Sequence, residues 1–276
     1  MLDSPEWQLQ MQFEKQRAYS GHITRQLARL CLKQHMTPLV SWARDKARIA
    51  LEKLLRSSSP DVKRVGDNDS GWVICVNPPP VVAYCAGVGK AMTFEVELAK
   101  MTRQPVLVFD PSPTGINTAA KTEKQNLEFF PIGLAANAGV LQFSVPADPE
   151  EGSYSMTQGN LEVVSFECHD LATIMSRNGD SHIDLLKMDI EGFEFDIVNQ
   201  FLDQNIPVRQ LCVEFHRWFR PGETIRTIAR LYRNGYRIIY KRYGDFTFVL
   251  NDSRYAELAR VAALKSDNIA AGADHA

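Results

Sequence analysis

The feature that most constrains this chain is an apolar run that breaks on glycine: Val81-Val82-Ala83-Tyr84-Cys85-Ala86-Gly87-Val88-Gly89-Lys90. A helical segment, Thr93 to Met101, follows it. A second apolar run, Val106-Leu107-Val108-Phe109, then closes on Asp110. The order reads strand, glycine turn, helix, strand, acidic tip. Glycines at such a turn let backbone come close to a ligand, and an acid about twenty residues on can accept hydrogen bonds from ribose hydroxyls. Two turn glycines also serve packing alone in many βαβ units, so a ligand must be argued from the rest of the chain.

The 276 residues, 45% of them hydrophobic, suit one domain with a full core and a helical extension. A net charge of -2 and a pI near 6.3 exert no general pull toward nucleic acid or anionic lipid. No run is long and apolar enough to span a bilayer, and Met1 to Glu6 open without a basic region followed by an apolar one, so neither an anchor nor a secretory signal is expected. The 5 cysteines are scattered and form no Cys-x-x-Cys pair, which speaks against a zinc knuckle or redox pair. Cys75, Cys85 and Cys212 stand in apolar runs and read as small core residues. Reduced thiols make the cytoplasm the expected location.

Residues 6 to 57 read as helix, with apolar spacing at Ile23, Leu27, Leu30 and Cys31 and again at Ala47, Leu51, Leu54 and Leu55. Thr37-Pro38 starts a new helix. The region is basic. It reads as a solvated face on the main domain, or as a contact for an acidic partner, membrane surface or nucleic acid. The expected organisation is a helical extension over 1–65, an α/β domain over 66–265 and a flexible tail over 266–276.

Trp72 to Val76 is a short strand, and Asn77-Pro78-Pro79-Pro80 a rigid lead-in to the first main strand. Pro111-Ser112-Pro113 opens a loop, Lys121 to Asn126 is polar and helical, and Leu127 to Leu134 is a third strand with a tight exit. Gly139 to Val145 alternates as a half-exposed strand. Pro146 to Gly159 is a polar loop, Leu161 to Phe166 another strand, and Asp170 caps a helix to about Ser176. The second informative stretch is Ile183-Asp184-Leu185-Leu186-Lys187-Met188-Asp189-Ile190-Glu191-Gly192, a buried-type strand ending in acid-x-acid-Gly. A helix from Phe193 to Gln204, a strand from Val208 to Phe215, and a helix from Glu223 to Asn234 closed by Gly235 follow. Tyr236–Tyr240 and Phe246–Leu250 form a hairpin, and a last helix runs from Asp252 to about Leu264.

Alternating strands and helices argue for an α/β fold with a mostly parallel sheet, and the terminal hairpin adds an antiparallel edge. Ligands on such sheets bind at the carboxyl ends of the strands. Gly87, Asp110, Gly133, Asp189 and Glu214 all fall at strand ends.

A hairpin-closed, seven-stranded Rossmann-like sheet is the arrangement of class I S-adenosylmethionine-dependent methyltransferases. Leu185-Leu186-Lys187-Met188-Asp189-Ile190-Glu191-Gly192-Phe193-Glu194 resembles the Lys-x-Asp-x-Glu-Gly-x-Glu signature of FkbM-type methyltransferases. Val213-Glu214-Phe215-His216 is similar to that family's fifth strand, Asn234-Gly235-Tyr236-Arg237 to its entry into the sixth, and Phe129 to Leu134 to its third strand and exit. The resemblance covers residues 72 to 251. It departs at the first loop, where Ala83 and Cys85 stand in place of the family's common Asp and Gly. A subgroup with Gly-Val-Gly and a downstream Phe-Glu fits Gly87-Val88-Gly89 and Phe94-Glu95 better.

The resemblance implies S-adenosyl-L-methionine as cofactor and a hydroxyl on a small-molecule, sugar or lipid-like acceptor as substrate. The cofactor would lie along Ala86, Gly87, Val88 and Gly89, with Asp110 and Pro111 at the ribose, Gly133 and Leu134 at the adenine, and Glu95, Asp189 and Glu191 as further contacts. His216, with its intrinsic pKa range, is the candidate general base, and Asp189 is the alternative. Asp189, Glu191, Glu214 and His216 together offer oxygen and imidazole ligands for a divalent metal, but without a fixed spacing motif no metal is expected. Asp189 and Glu191 could equally cap the following helix. Lys187 is odd inside a strand; it snorkels outward or pairs with an acid. Two other functions compete. A nicotinamide-dependent oxidoreductase is opposed by Met92 at the third glycine position. An inactive, cofactor-binding interaction protein would use the basic N-terminal helices as its contact surface.

Overall fold

A computed structural model describes residues 61–123, 125–146, 153–156, 162–216, 220 and 222–273. The helical reading of residues 6 to 57 lies outside them. Strand β1 (Val62–Val65) pairs antiparallel with β2 (Trp72–Cys75). This hairpin straddles residue 66, where the sequence placed the start of the α/β domain.

The elements then alternate: β3 (Ala83–Ala86), α1 (Thr93–Ala99), β4 (Val106–Phe109), α2 (Pro113–Lys121) and β5 (Leu127–Phe130). After an inserted segment come α3 (Leu171–Asn178), β10 (Ile183–Met188), α4 (Glu194–Asp203), β11 (Val208–Glu214) and α5 (Glu223–Arg233). The hairpin β12 (Tyr236–Arg242) and β13 (Asp245–Leu250) and helix α6 (Asp252–Ala273) complete the chain. The main sheet has seven strands in the order β12-β13-β11-β10-β3-β4-β5. Five run parallel, and β13 and β12 join antiparallel at the β11 edge.

The central strands are apolar without alternation because both faces are covered. Successive side chains point to opposite faces. Tyr84, Ala86, Leu186 and Met188 enter one core with Phe195, Val198 and Phe201 of α4 and Leu231 of α5. Ala83, Cys85 and Leu185 enter the other, with Phe94 and Leu98 of α1 and Val65, Trp72 and Ile74 of the first hairpin. From β3 the chain moves outward to β4 and β5, then returns to place β10 on β3's other side. Strand order therefore reverses beside β3, which opens a crevice above its carboxyl end.

Four stretches depart from the sequence reading. Lys121 to Asn126 is not helical: α2 ends at Lys121, where Thr122 turns to an extended conformation, and residues 125 and 126 form a turn. Leu127 to Leu134 is not one strand. β5 stops at Phe130, Pro131 has no N–H to continue a ladder, and Gly133–Leu134 (β6) joins a separate sheet. That sheet, ordered β6-β9-β7-β8, contains β7 (Gly139–Ser144), β8 (Ser155–Met156) and β9 (Val163–His169). Pro111-Ser112-Pro113 starts α2 directly. Ser112 Oγ accepts the Gly115 N–H at 3.0 Å and Pro113 fills the first helical position, where its missing N–H costs nothing. Finally, α6 continues to Ala273, past Leu264 and into the stretch read as tail. Its late alanines are strong helix formers that a reading by polarity passes over.

Candidate functional site

One cleft opens at the carboxyl ends of β3, β4 and β10. Of the residues expected at the cofactor, Gly87, Val88, Gly89, Asp110, Pro111, Gly133, Leu134, Asp189 and Glu191 border it. The aromatic rings of Phe143 and Phe193, 4.8 Å apart, join them from the second sheet and the start of α4. Ile190, Ser153 and Tyr154 also line it. The half-exposed alternation of β7 was the sequence signal for Phe143. Nothing local marked Phe193 as more than a helix-face residue.

The glycine loop depends on two positions. Gly87 has φ +81, and a Cβ there would lie 1.7 Å from the Asp189 carbonyl oxygen. Only glycine lets the loop after β3 touch the loop after β10. Gly89 has φ +58 and nothing within 4 Å of a built Cβ, so its side faces open space.

Asp110 is 6% exposed and its carboxylate turns back onto the loop. One oxygen accepts the N–H groups of Val88 at 2.8 Å and Gly89 at 3.3 Å; the other accepts that of Ser112 at 2.8 Å. A carboxylate offers about four acceptor positions, so the one left over is what a ribose hydroxyl can use.

Glu95 is not at the cleft, contrary to its expected role as a cofactor contact. It is 2% exposed on the face of α1 packed under the sheet, 3.6 Å from the Lys187 ammonium. Lys187 therefore pairs with an acid rather than snorkelling out. Its Nζ also donates to the Gly87 carbonyl oxygen. Burial alone would push this ammonium down, but Glu95 and then Asp189 hold it above the ordinary lysine range. Ala86 is buried beneath the loop, where its carbonyl accepts the Asp189 N–H at 3.1 Å.

The acid-x-acid-Gly turn is built around Glu194, the last acid of the Lys-x-Asp-x-Glu-Gly-x-Glu signature, to which the sequence assigned no role of its own. This carboxylate is fully buried. It accepts the N–H groups of Ile190 and Gly192, and lies 2.6 Å from His216 Nδ1. The other nitrogen of His216, Nε2, lies 3.2 Å from a Glu191 oxygen and 3.7 Å from an Asp189 oxygen. His216 is 2% exposed and stands behind these two acids rather than at the cleft. Burial lowers its pKa. The hydrogen bond and charge of Glu194, then the charges of Glu191 and Asp189, outweigh that and raise it to about 9. A pKa held there favours the imidazolium at neutral pH, hydrogen-bonded to Glu194 and ion-paired with Glu191 and Asp189, and this counts against the reading of His216 as the base. Asp189, with a side chain 39% exposed, faces the cleft instead.

Further carboxylates crowd the same place. Burial and repulsion from Asp189 raise Glu214 to about 7 and push Asp245 up as well. Glu191 is raised by burial against the pull of His216. Among the described residues, Asp189, Glu214 and His216 bring ligand atoms within 4.8 Å of one another. Two carboxylates and an imidazole suit a divalent ion. An ion would have to displace the proton that His216 shares with the acids.

Residues 65–238, more than half the chain, match the family described as the methyltransferase FkbM domain. No curated protein matches the chain. Among solved structures it is similar to the crystal structure of methyltransferase FkbM from Methylobacillus flagellatus KT, at 14% identity and a TM-score of 0.40, over 61% of this chain. The matched part is 43% of that protein, so the chain spans less than half of its length. By the extent of the family match, the chain belongs to the FkbM methyltransferase family.

Proposed function

We propose that the chain is an S-adenosylmethionine-dependent methyltransferase of the class I, Rossmann-like kind, acting on a hydroxyl of a small-molecule, sugar or lipid-like acceptor. The observation that carries this reading is the contact of Gly87 with the Asp189 carbonyl. It brings a loop suited to a cofactor's amino-acid part beside Asp189, one of the three acids that border the cleft. The cofactor supplies an activated methyl group on a good leaving group, so the protein's task is alignment and exclusion of water.

The residues fit that division. Leu134, Phe143 and Phe193 give an apolar wall for a nucleobase. Asp110 keeps one acceptor position for a ribose hydroxyl, and open space beside Gly89 leaves room for the amino-acid part. Asp189 accepts the proton of the acceptor hydroxyl, a step an alcohol needs at the moment of attack. Behind it, His216 in its imidazolium form steadies Asp189 and Glu191.

Among the described residues no helix is long and apolar enough to cross a membrane. Cys85, Cys168 and Cys212 are buried thiols outside any disulfide. These support a cytoplasmic location, with the basic segment before residue 65 as a contact for an acidic partner or membrane surface.

Calorimetric titration with S-adenosylmethionine and with NADH tests the reading, followed by product detection on an acceptor panel. Binding of the first alone, with turnover on a hydroxyl acceptor, is expected. Binding of NADH alone would return the chain to the oxidoreductases. Cofactor binding without turnover on any acceptor would make it an inactive interaction protein.

A further inference from the structure

We infer that Lys187 and Glu95 are a positioning pair for the cofactor, locking the Gly87–Val88 peptide so that the glycine loop is held in its binding shape before any ligand arrives. This rests on the cofactor reading above.

The pair is unexpected on stability grounds. Lysine and glutamate are rarely buried, and an isolated buried charge is costly. Lys187 is 5% exposed and sits in register between Cys85 on β3 and Cys212 on β11, two thiols that offer an ammonium little. A buried ion pair replaced by apolar residues of similar size often leaves a protein as stable or more so. Core packing alone therefore does not call for these charges.

Their placement supplies what an apolar pair cannot. The Gly87 carbonyl accepts from Lys187 Nζ, and the Val88 N–H donates to Asp110. These two groups belong to one peptide unit. In a trans peptide the C=O and N–H point in opposite directions. A buried cation thus holds the oxygen end while a buried anion holds the hydrogen end, each matched to the sign of the peptide dipole. Gly87, at φ +81, has the freedom to let this peptide flip, and Gly89 follows with φ +58. The two charges remove that freedom. Glu95 lies 3.6 Å from the ammonium and keeps it charged where it is needed. Lys187 on β10 is also two residues before Asp189, which directly follows that strand, so one strand sets both the loop and a cleft-facing acid.

The test uses the double variant Lys187→Met/Glu95→Leu, which removes both charges together and leaves neither unpaired. Its melting temperature is expected to match the unmodified chain. Its affinity for S-adenosylhomocysteine is expected to fall about tenfold to a hundredfold, the scale of one lost hydrogen bond to a charged group. Turnover at saturating cofactor should change far less than the cofactor KM. A role in folding alone would move the melting temperature and leave affinity in place. A double variant that folds and binds like the unmodified chain overturns the inference.

Amide exchange on the unmodified chain tests it without any substitution. The Val88 amide must be protected before cofactor is added, and rapid exchange there also overturns the lock. Absence of any S-adenosylhomocysteine binding by the unmodified chain would instead sink the cofactor reading, and the exchange result would still report on the lock.

Discussion

His216 Nδ1 and a Glu194 carboxylate oxygen lie 2.6 Å apart, and both side chains are shut off from solvent. The pairing has a consequence for stability against pH. The histidine is raised from 6.5 to about 9 on folding, so it binds its proton more tightly in the folded chain. A raised histidine contributes stability that is full below 6.5 and lost as pH climbs through 9. Glu214, raised from 4.5 to about 7, loses its part over a lower window in the same direction. Thermal melts of the unmodified chain and of His216→Asn should therefore converge between these pH values. The gap attributable to the proton is at most about 3 kcal/mol. A constant gap from pH 6 to pH 10 would mean that His216 does not hold an extra proton in the folded state.

What the sequence made legible, and what it hid, follows the range of the interactions. Asp170 was readable as a cap because its partner, the Thr173 N–H at 2.9 Å, is three residues away. The run Ile183–Met188 was readable as a buried strand from its apolar residues alone. The lysine inside it is visible in the sequence, but its partner Glu95 lies on another element and no local pattern announces such a pair. Likewise His216 was readable as a titratable group past a strand end. Its depth, and the carboxylate on its Nδ1, exist only once α4 packs against β11. Pro111-Ser112-Pro113 looks like a breaker by its two prolines, yet Ser112 is a cap and Pro113 opens the first turn. The second sheet escaped because a two-residue strand such as Gly133–Leu134 has no period to detect.

Asp189 and His216 should respond differently to substitution. Asp189 faces the cleft, so Asp189→Asn is expected to cut turnover by about 10²–10⁴, the span of a lost general base, with cofactor affinity nearly unchanged. His216→Asn leaves the cleft-facing carboxylate in place. It should lower turnover less and lower the melting temperature more, because Glu194 is then left buried without its cationic partner. Steady-state kinetics with calorimetry on both variants decides the matter. If His216→Asn alone abolished turnover without loss of stability, the histidine would regain the role of base.

Gly87→Ala is expected to be severe although it adds one methyl group. The new Cβ would meet the Asp189 carbonyl oxygen at 1.7 Å, a backbone atom that cannot rotate away, and the residue must keep φ +81. The β3 and β10 loops must separate to admit it. We expect loss of measurable cofactor binding and a destabilisation of about 1–3 kcal/mol, the scale for a non-glycine residue held in a strained conformation. Gly89→Ala shares the positive φ but meets nothing within 4 Å. It should destabilise less, and the contrast between the two in a melt and a titration isolates the close approach from the backbone conformation.

Asp110 orders the glycine loop and is proposed to bind the ribose, and one substitution can separate the two. Its carboxylate accepts the N–H groups of Val88, Gly89 and Ser112, and keeps one further position for a ribose hydroxyl. In Asp110→Asn an amide NH2 must face one of these N–H donors, so affinity for S-adenosylhomocysteine should fall by about 1–3 kcal/mol whichever role dominates. A cofactor analogue lacking one ribose hydroxyl distinguishes them by a double-mutant cycle. With a direct contact, the analogue binds the unmodified chain more weakly than the parent cofactor does, and that difference shrinks in Asp110→Asn. If the analogue loses nothing on the unmodified chain, Asp110 acts on the cofactor only through the loop it orders.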